Sequence, residues 1–288
     1  MCKKTKGFNL FLNIVRLIAY FLIYQYVFVV AGQFGGYLFY DVAVEPVSYA
    51  TYSSLAGSVA ENCRAGGLAV GMLLSSLAMI AHLLFFRYVH IGKGFLREVK
   101  GSVLFYATLF VGSMMVLFNI LAAWSGLENN NEAEVEMLLG NPAGLLAVAV
   151  AAPVLEELLF RGAIQGALMR YFKQPWLAIG VAALLFGVIH ANPVQIFYAA
   201  CLGVGFGWLY YRTGSLLPAI IGHIVNNSIA AYSNVVYGAD ATDAVQGDTE
   251  GYAALAFTAA LFMLLFARVI NKRLPAVVSS QHEEGGVS

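Results

Sequence analysis

The sequence predicts an all-α, polytopic integral membrane protein with about eight transmembrane helices, and three observations carry that prediction. The 288-residue chain is 60% hydrophobic and only 11% charged, whereas an ordinary soluble domain is about 25% charged. Apolar runs long enough to cross a bilayer recur along its whole length. The charged residues fall mainly between those runs, and the connecting segments alternate in sign. The formal net charge is zero, so nothing suggests a nucleic-acid partner, which would call for a basic stripe or patch.

The expected spans lie near 8–32, 66–90, 102–124, 143–170, 175–190, 194–211, 216–234 and 252–271. Lys3, Lys4 and Lys6 precede the first, as in a signal peptide. The run is much longer than the roughly 7–15 residues of a signal h-region and ends in no small-residue cleavage site, so the first span is expected to be retained. Basic segments follow the second span (Lys93, Arg97, Lys100), the fourth (Arg170, Lys173), the sixth (Arg212) and the eighth (Lys272, Arg273). Acidic ones alternate with them: Asp41, Glu45 and Glu61; Glu128, Glu132, Glu134 and Glu136; Asp240, Asp243, Asp248 and Glu250. Positive charge marks the cytoplasmic side, so a multi-pass cell-membrane protein with both termini cytoplasmic is expected. No repeat, low-complexity tract or second domain stands out, and residues 1–288 read as a single integral membrane domain with a short polar tail, "SSQHEEGGVS".

Polar residues are few in the first three spans and concentrate in the second half of the chain. The fourth span holds Glu156, Glu157 and Arg161 in the stretch "PVLEELLFRG". A charge near the bilayer centre costs roughly 2.5–3.5 kcal/mol on insertion scales, so such residues are paired or face a polar cavity. Residues four apart share a helix face, which makes Glu157 and Arg161 natural partners and leaves Glu156 rotated about 100° away. The fifth span ends at His190, with Phe186 one turn earlier, and the seventh carries His223, Asn226 and Asn227.

The sixth span contains Gly203, Gly205 and Gly207. They follow no strand and open no phosphate loop, so close helix packing through small residues explains them. In "RTGSLLPA" Gly214 makes a turn, Ser215 caps the next helix, and Pro218 falls in its first turn. Cys2, Cys63 and Cys201 form neither a disulfide framework nor a metal-ligand spacing, and their odd number leaves at least one thiol free.

A carboxylate, two imidazoles and a carboxamide in a low-dielectric cavity can activate a water. Such a cavity favours the neutral form of a carboxyl group in general, which lets a glutamate take up a proton and return it. A histidine can hold the water or donate to the oxyanion of an attacked carbonyl, and an amide is a suitable second donor. No Ser or Cys nucleophile stands beside a base, and no H-E-x-x-H zinc helix is present. Structural readings stand beside these. Glu157 with Arg161 can be a plain ion pair, His190 an interfacial residue, and His223 with Asn227 a hydrogen-bonded helix contact. An intramembrane carboxylate such as Glu156 is a functional candidate by default.

Three ordered motifs, "EELLFRG" (156–162), "FGVIH" (186–190) and "HIVNN" (223–227), resemble those of the CPBP intramembrane proteases. That family includes the type II CAAX prenyl endopeptidases and bacterial relatives linked to bacteriocin immunity. The resemblance covers about 143–234, the expected catalytic core. It implies that Glu156 and His190 activate water, that His223 and Asn227 hold the oxyanion, and that Glu157 and Arg161 support them. The substrate would be a membrane-associated peptide or protein.

No cofactor is expected. The alternative is zinc on Glu156, His190 and His223. Against it, Asn227 is a neutral amide, and the one obvious acceptor to fix a histidine tautomer, Glu157, has Arg161 one turn away. Two other functions compete with the protease reading: a non-catalytic membrane immunity or scaffold protein, and a transporter with a proton-relay carboxylate. No inverted repeat supports the last.

Overall fold

The structure is a computed structural model and describes residues 3–44, 56–89, 99–237 and 248–274. Cys2, Glu45, Lys93, Arg97, Asp240, Asp243 and the polar tail 279–288 lie outside the described residues. The described residues form nine helices and no strand: α1 (Lys3–Phe39), α2 (Ala56–Phe85), α3 (Gly101–Trp124), α4 (Glu132–Leu139), α5 (Pro142–Tyr171), α6 (Pro175–Val188), α7 (Pro193–Thr213), α8 (Leu217–Tyr237) and α9 (Thr249–Arg273). The chain is an all-α, polytopic membrane protein.

Among the described residues six helices, α1, α2, α3, α5, α7 and α9, are long and apolar enough to cross a bilayer, and α6 is a shorter apolar helix. α8 is 21 residues long, but His223, Asn226, Asn227 and Asn234 dilute its hydropathy. Each of the eight expected spans corresponds to one of these helices. α4 is an addition: part of the acidic segment read as a loop folds into a short helix that buries Leu138 and Leu139. Its Glu132 and Glu134 occupy the first turn, where the helix dipole favours negative charge.

Helix ends follow local chemistry. The Asn141 side chain accepts from the Ala143 N–H at 2.8 Å and Pro142 opens α5; Asp248 caps α9 through the Gly251 N–H at 3.0 Å. The expected turn between α7 and α8 is present. Gly214 is left-handed (φ 64°) with its N–H on the Tyr210 carbonyl, and Ser215 Oγ accepts from the Leu217 N–H at 3.3 Å.

α5 departs from the regular helix that its periodicity predicts. Two segments, Ala147–Ala151 and Glu157–Gln165, are π-helical. Pro153 has no N–H for the carbonyl four residues before it, and the widened turn lies directly upstream, a recognised response to a broken hydrogen-bond ladder.

Two compact units divide the described helices. The first comprises α1, α2, α4, α5 up to Glu156, and α8 from Asn227. Within it Gly32 and Gly36 of α1 meet Gly67 and Gly71 of α2 backbone to backbone, the close approach that small residues four apart permit. Leu68, Ala69 and Leu138 form its small buried core. The second unit comprises α3, α5 from Glu157, α6, α7, α8 up to Asn226, and α9. Its core gathers Phe110, Met114, Phe206, Trp208, Leu209 and Ile270 from α3, α7 and α9.

Candidate active site

The second unit holds most of the polar residues picked out from the sequence. Glu157 and Arg161 are 0% and 1% exposed, and Arg161 Nη1 donates to Glu157 Oε1 at 2.8 Å. The pairing expected from their spacing is therefore present, inside the widened turn of α5. Its energetic logic is the usual one for buried charge: each ion pays a large desolvation cost, tolerable only with the partner in place.

Glu157 does more than pair. The same Oε1 lies 2.8 Å from His223 Nδ1 on α8. A carboxylate can only accept, so Nδ1 carries the proton, and in the neutral ring the lone pair is on Nε2. His190 is fixed the same way, its Nδ1 lying 2.8 Å from the Phe186 carbonyl one turn back. Both histidines thus carry their first proton on Nδ1.

Phe186 explains the aromatic position of its motif. Its carbonyl holds His190, and its ring stands nearly perpendicular to the rings of His190 (5.1 Å, 89°) and His223 (5.7 Å, 86°). The Arg161 guanidinium lies over the Phe186 face at 4.4 Å and near Phe206 at 5.3 Å, while Phe206 stacks on His223 at 4.8 Å. A guanidinium in an apolar span thereby gains cation–π partners besides its carboxylate.

The glycines of α7 have the packing role expected of them, and a further one. Arg161 Nη2 donates to the Gly203 carbonyl at 3.2 Å, and Gln165 Nε2 donates to the Gly207 carbonyl at 2.9 Å. A Cβ at Gly203 would sit 3.1 Å from Ala183 and 3.2 Å from Arg161 Nη2. The absence of side chains lets two polar groups of α5 reach the α7 backbone. Gln165 escaped the sequence reading, although it continues the face of Glu157 and Arg161 by one more turn.

Glu156 and Asn227 belong to the first unit. Glu156 ends the α-helical turn before the π segment and is half-buried. Asn227 Nδ2 donates to the Val148 carbonyl at 3.0 Å, in the upstream π segment of α5. The buried asparagine of the pair is Asn226, 4% exposed, whose Oδ1 accepts from the Tyr198 hydroxyl at 2.6 Å. Neither Tyr198 nor this bond is legible from spacing, since the partners are 28 residues apart.

One sequence-based argument needs correcting. Glu157 was expected to be unavailable to a histidine because Arg161 occupies it; in the structure one oxygen serves both. A carboxylate behind His223 and a carbonyl behind His190 are the acceptors that metal-bound histidines use, so these tautomers suit zinc as well as water. Within neither unit do the described residues gather three or more His, Cys, Asp or Glu side chains in metal-binding proximity. Cys63 and Cys201 are free thiols.

Comparison with known proteins agrees with the motifs. Residues 139–229 match the family model described as type II CAAX prenyl endopeptidase Rce1-like. The Bacillus subtilis protein named "Putative membrane peptidase YdiL" is 27% identical over 140 residues, 48% of this chain and 55% of the relative. A second B. subtilis protein, named "Uncharacterized protein YyaK", is 29% identical over 154 residues, 49% of this chain and 50% of the relative. The chain thus spans about half the length of the curated relatives it matches. No solved structure matches it. The stretch that the Rce1-like family model matches, residues 139–229, contains Glu156, Glu157, Arg161, His190, His223 and Asn227.

Proposed function

We propose that the protein is an intramembrane endopeptidase that hydrolyses a peptide bond of a membrane-associated peptide or protein. The observation that carries the reading is the shared carboxylate oxygen of Glu157, which holds Arg161 and His223 together inside an apolar helix layer. A structural ion pair needs Arg161 alone; orienting an imidazole as well is what a reaction site requires.

In the proposed reaction Glu156 takes a proton from a water held by His190, and the resulting hydroxide attacks the peptide carbonyl. The amide of Asn227 and Nε2 of His223 donate to the oxyanion. Because His223 already donates from Nδ1 to Glu157, donation from Nε2 requires the doubly protonated ring, and the Glu157 carboxylate supports that charge. Glu156 then returns its proton to the leaving amine. Water activation without metal is the favoured version, supported by the neutral amide of Asn227, which suits an oxyanion better than a metal. Were zinc the cofactor, Glu156, His190 and His223 would hold it, and it would supply Lewis acidity to the water and carbonyl.

Comparative membrane peptidomics of cells carrying the wild type or Glu156→Gln tests the function. Peptides that disappear in the variant identify the substrate; identical peptidomes would leave a non-catalytic immunity or scaffold protein as the better reading.

A further inference from the structure

Three polar side chains in the helical layer of the second unit take no part in the proposed chemistry. The Tyr198 hydroxyl on α7 donates to Asn226 Oδ1 on α8 at 2.6 Å, at the short end of the range for such bonds. Asn119 Nδ2 on α3 donates to the Tyr198 oxygen at 3.2 Å and to the Met115 carbonyl of its own helix at 2.9 Å. Donation therefore runs from Asn119 to Tyr198 to Asn226 and ties three helices together. In a low-dielectric layer consecutive hydrogen bonds polarise and strengthen one another.

The end of that chain lies beside the candidate site. Asn226 follows His223 by three residues, so the two lie about 60° apart on α8, and both are 4% exposed. His223 is gripped by Glu157 from α5 and by the Phe206 ring from α7. Asn226 is gripped one turn further along. A helix held at two points on one side has its rotation about its own axis fixed, and that rotation decides where the imidazole of His223 falls. Oxyanion donors lose effect steeply when misplaced.

We propose that Tyr198 is a positioning residue for His223, acting through its hydrogen bond to Asn226. Its kinetic consequence rests on the peptidase reading; its spectroscopic consequence does not. Tyr198→Phe removes one oxygen and keeps the ring. With a substrate peptide in hand, it lowers kcat about tenfold and leaves KM within about twofold, the scale of one lost buried hydrogen bond. Asn226→Ala does the same, and the double variant falls no further. Independent, multiplying losses would overturn the proposal.

The second measurement is imidazole 15N NMR of the full-length, histidine-labelled protein in detergent, with His223 assigned by its loss in His223→Gln. Tyr198→Phe is expected to shift the His223 resonances and leave those of His82 and His190 in place. Unchanged His223 resonances, or equal shifts at all three, would refute the coupling. Should Tyr198→Phe not yield folded protein, Asn119→Ala removes the donor to Tyr198 at an exposed position and gives the same pattern, smaller in size. A wild type with no peptidase activity would sink the peptidase reading, and the NMR result would still decide the coupling.

Discussion

Glu157 Oε1 accepts from His223 Nδ1 at 2.8 Å while also accepting from Arg161 Nη1 at 2.8 Å. One oxygen therefore neutralises a buried guanidinium and sets the tautomer of an imidazole on another helix. Glu157 is thereby engaged with both Arg161 and His223, and the proposed reaction assigns the proton transfer to the adjacent Glu156.

Substitution separates those roles. Glu156→Gln is nearly isosteric but cannot take a proton, so it should abolish cleavage with the melting temperature in detergent unchanged. Arg161→Ala removes the guanidinium that neutralises the buried Glu157, leaving it only the hydrogen bond from His223, and should cost about 3–5 kcal/mol of stability. If both variants lost stability equally, the cluster would be structural and Glu156 would not be the base.

The glycines of α7 give a packing test inside the second unit. A Cβ at Gly207 would meet Gln165 Oε1 at 2.6 Å and Ile179 at 3.0 Å, whereas one at Gly180 on α6 meets nothing within 4 Å. Gly207→Val should destabilise by about 1–3 kcal/mol through overpacking, and Gly180→Ala should be neutral or slightly stabilising. Thermal denaturation of the two purified variants compares them directly; equal melting temperatures would contradict the close approach of α5 and α7.

Metal dependence is decided by removal. In the metal-free mechanism, activity persists in protein dialysed against a strong chelator and shown by elemental analysis to contain no metal. Loss of activity on dialysis, with recovery on one equivalent of zinc, would instead make His190 and His223 ligands.

Orientation follows from the loop charges and can be read with reporter fusions. A fusion after Glu132, in an acidic segment, should report the outer side, and one after Lys173, in a basic segment, the cytoplasm. A cytoplasmic signal at Glu132 would reject the proposed topology.

The sequence by itself determined what depends on neighbours along the chain. Apolar runs specify helices, a four-residue spacing specifies the pairing of Glu157 with Arg161, and Gly214, Ser215 and Pro218 specify the turn between α7 and α8, because each of these is local in φ, ψ or helix face. Tertiary structure decided which faces meet. Phe186 stands between the rings of His190 and His223, and Glu157 reaches a histidine 66 residues away, as helical periodicity tells which residues share a face but not which helix that face touches. The same limit hid Tyr198, whose ring reads as ordinary span filling until α8 is packed beside α7. Nor does spacing show that Arg161 and Gln165, in the π-helical course of Glu157–Gln165, are seated on the α7 backbone at Gly203 and Gly207, each 42 residues away.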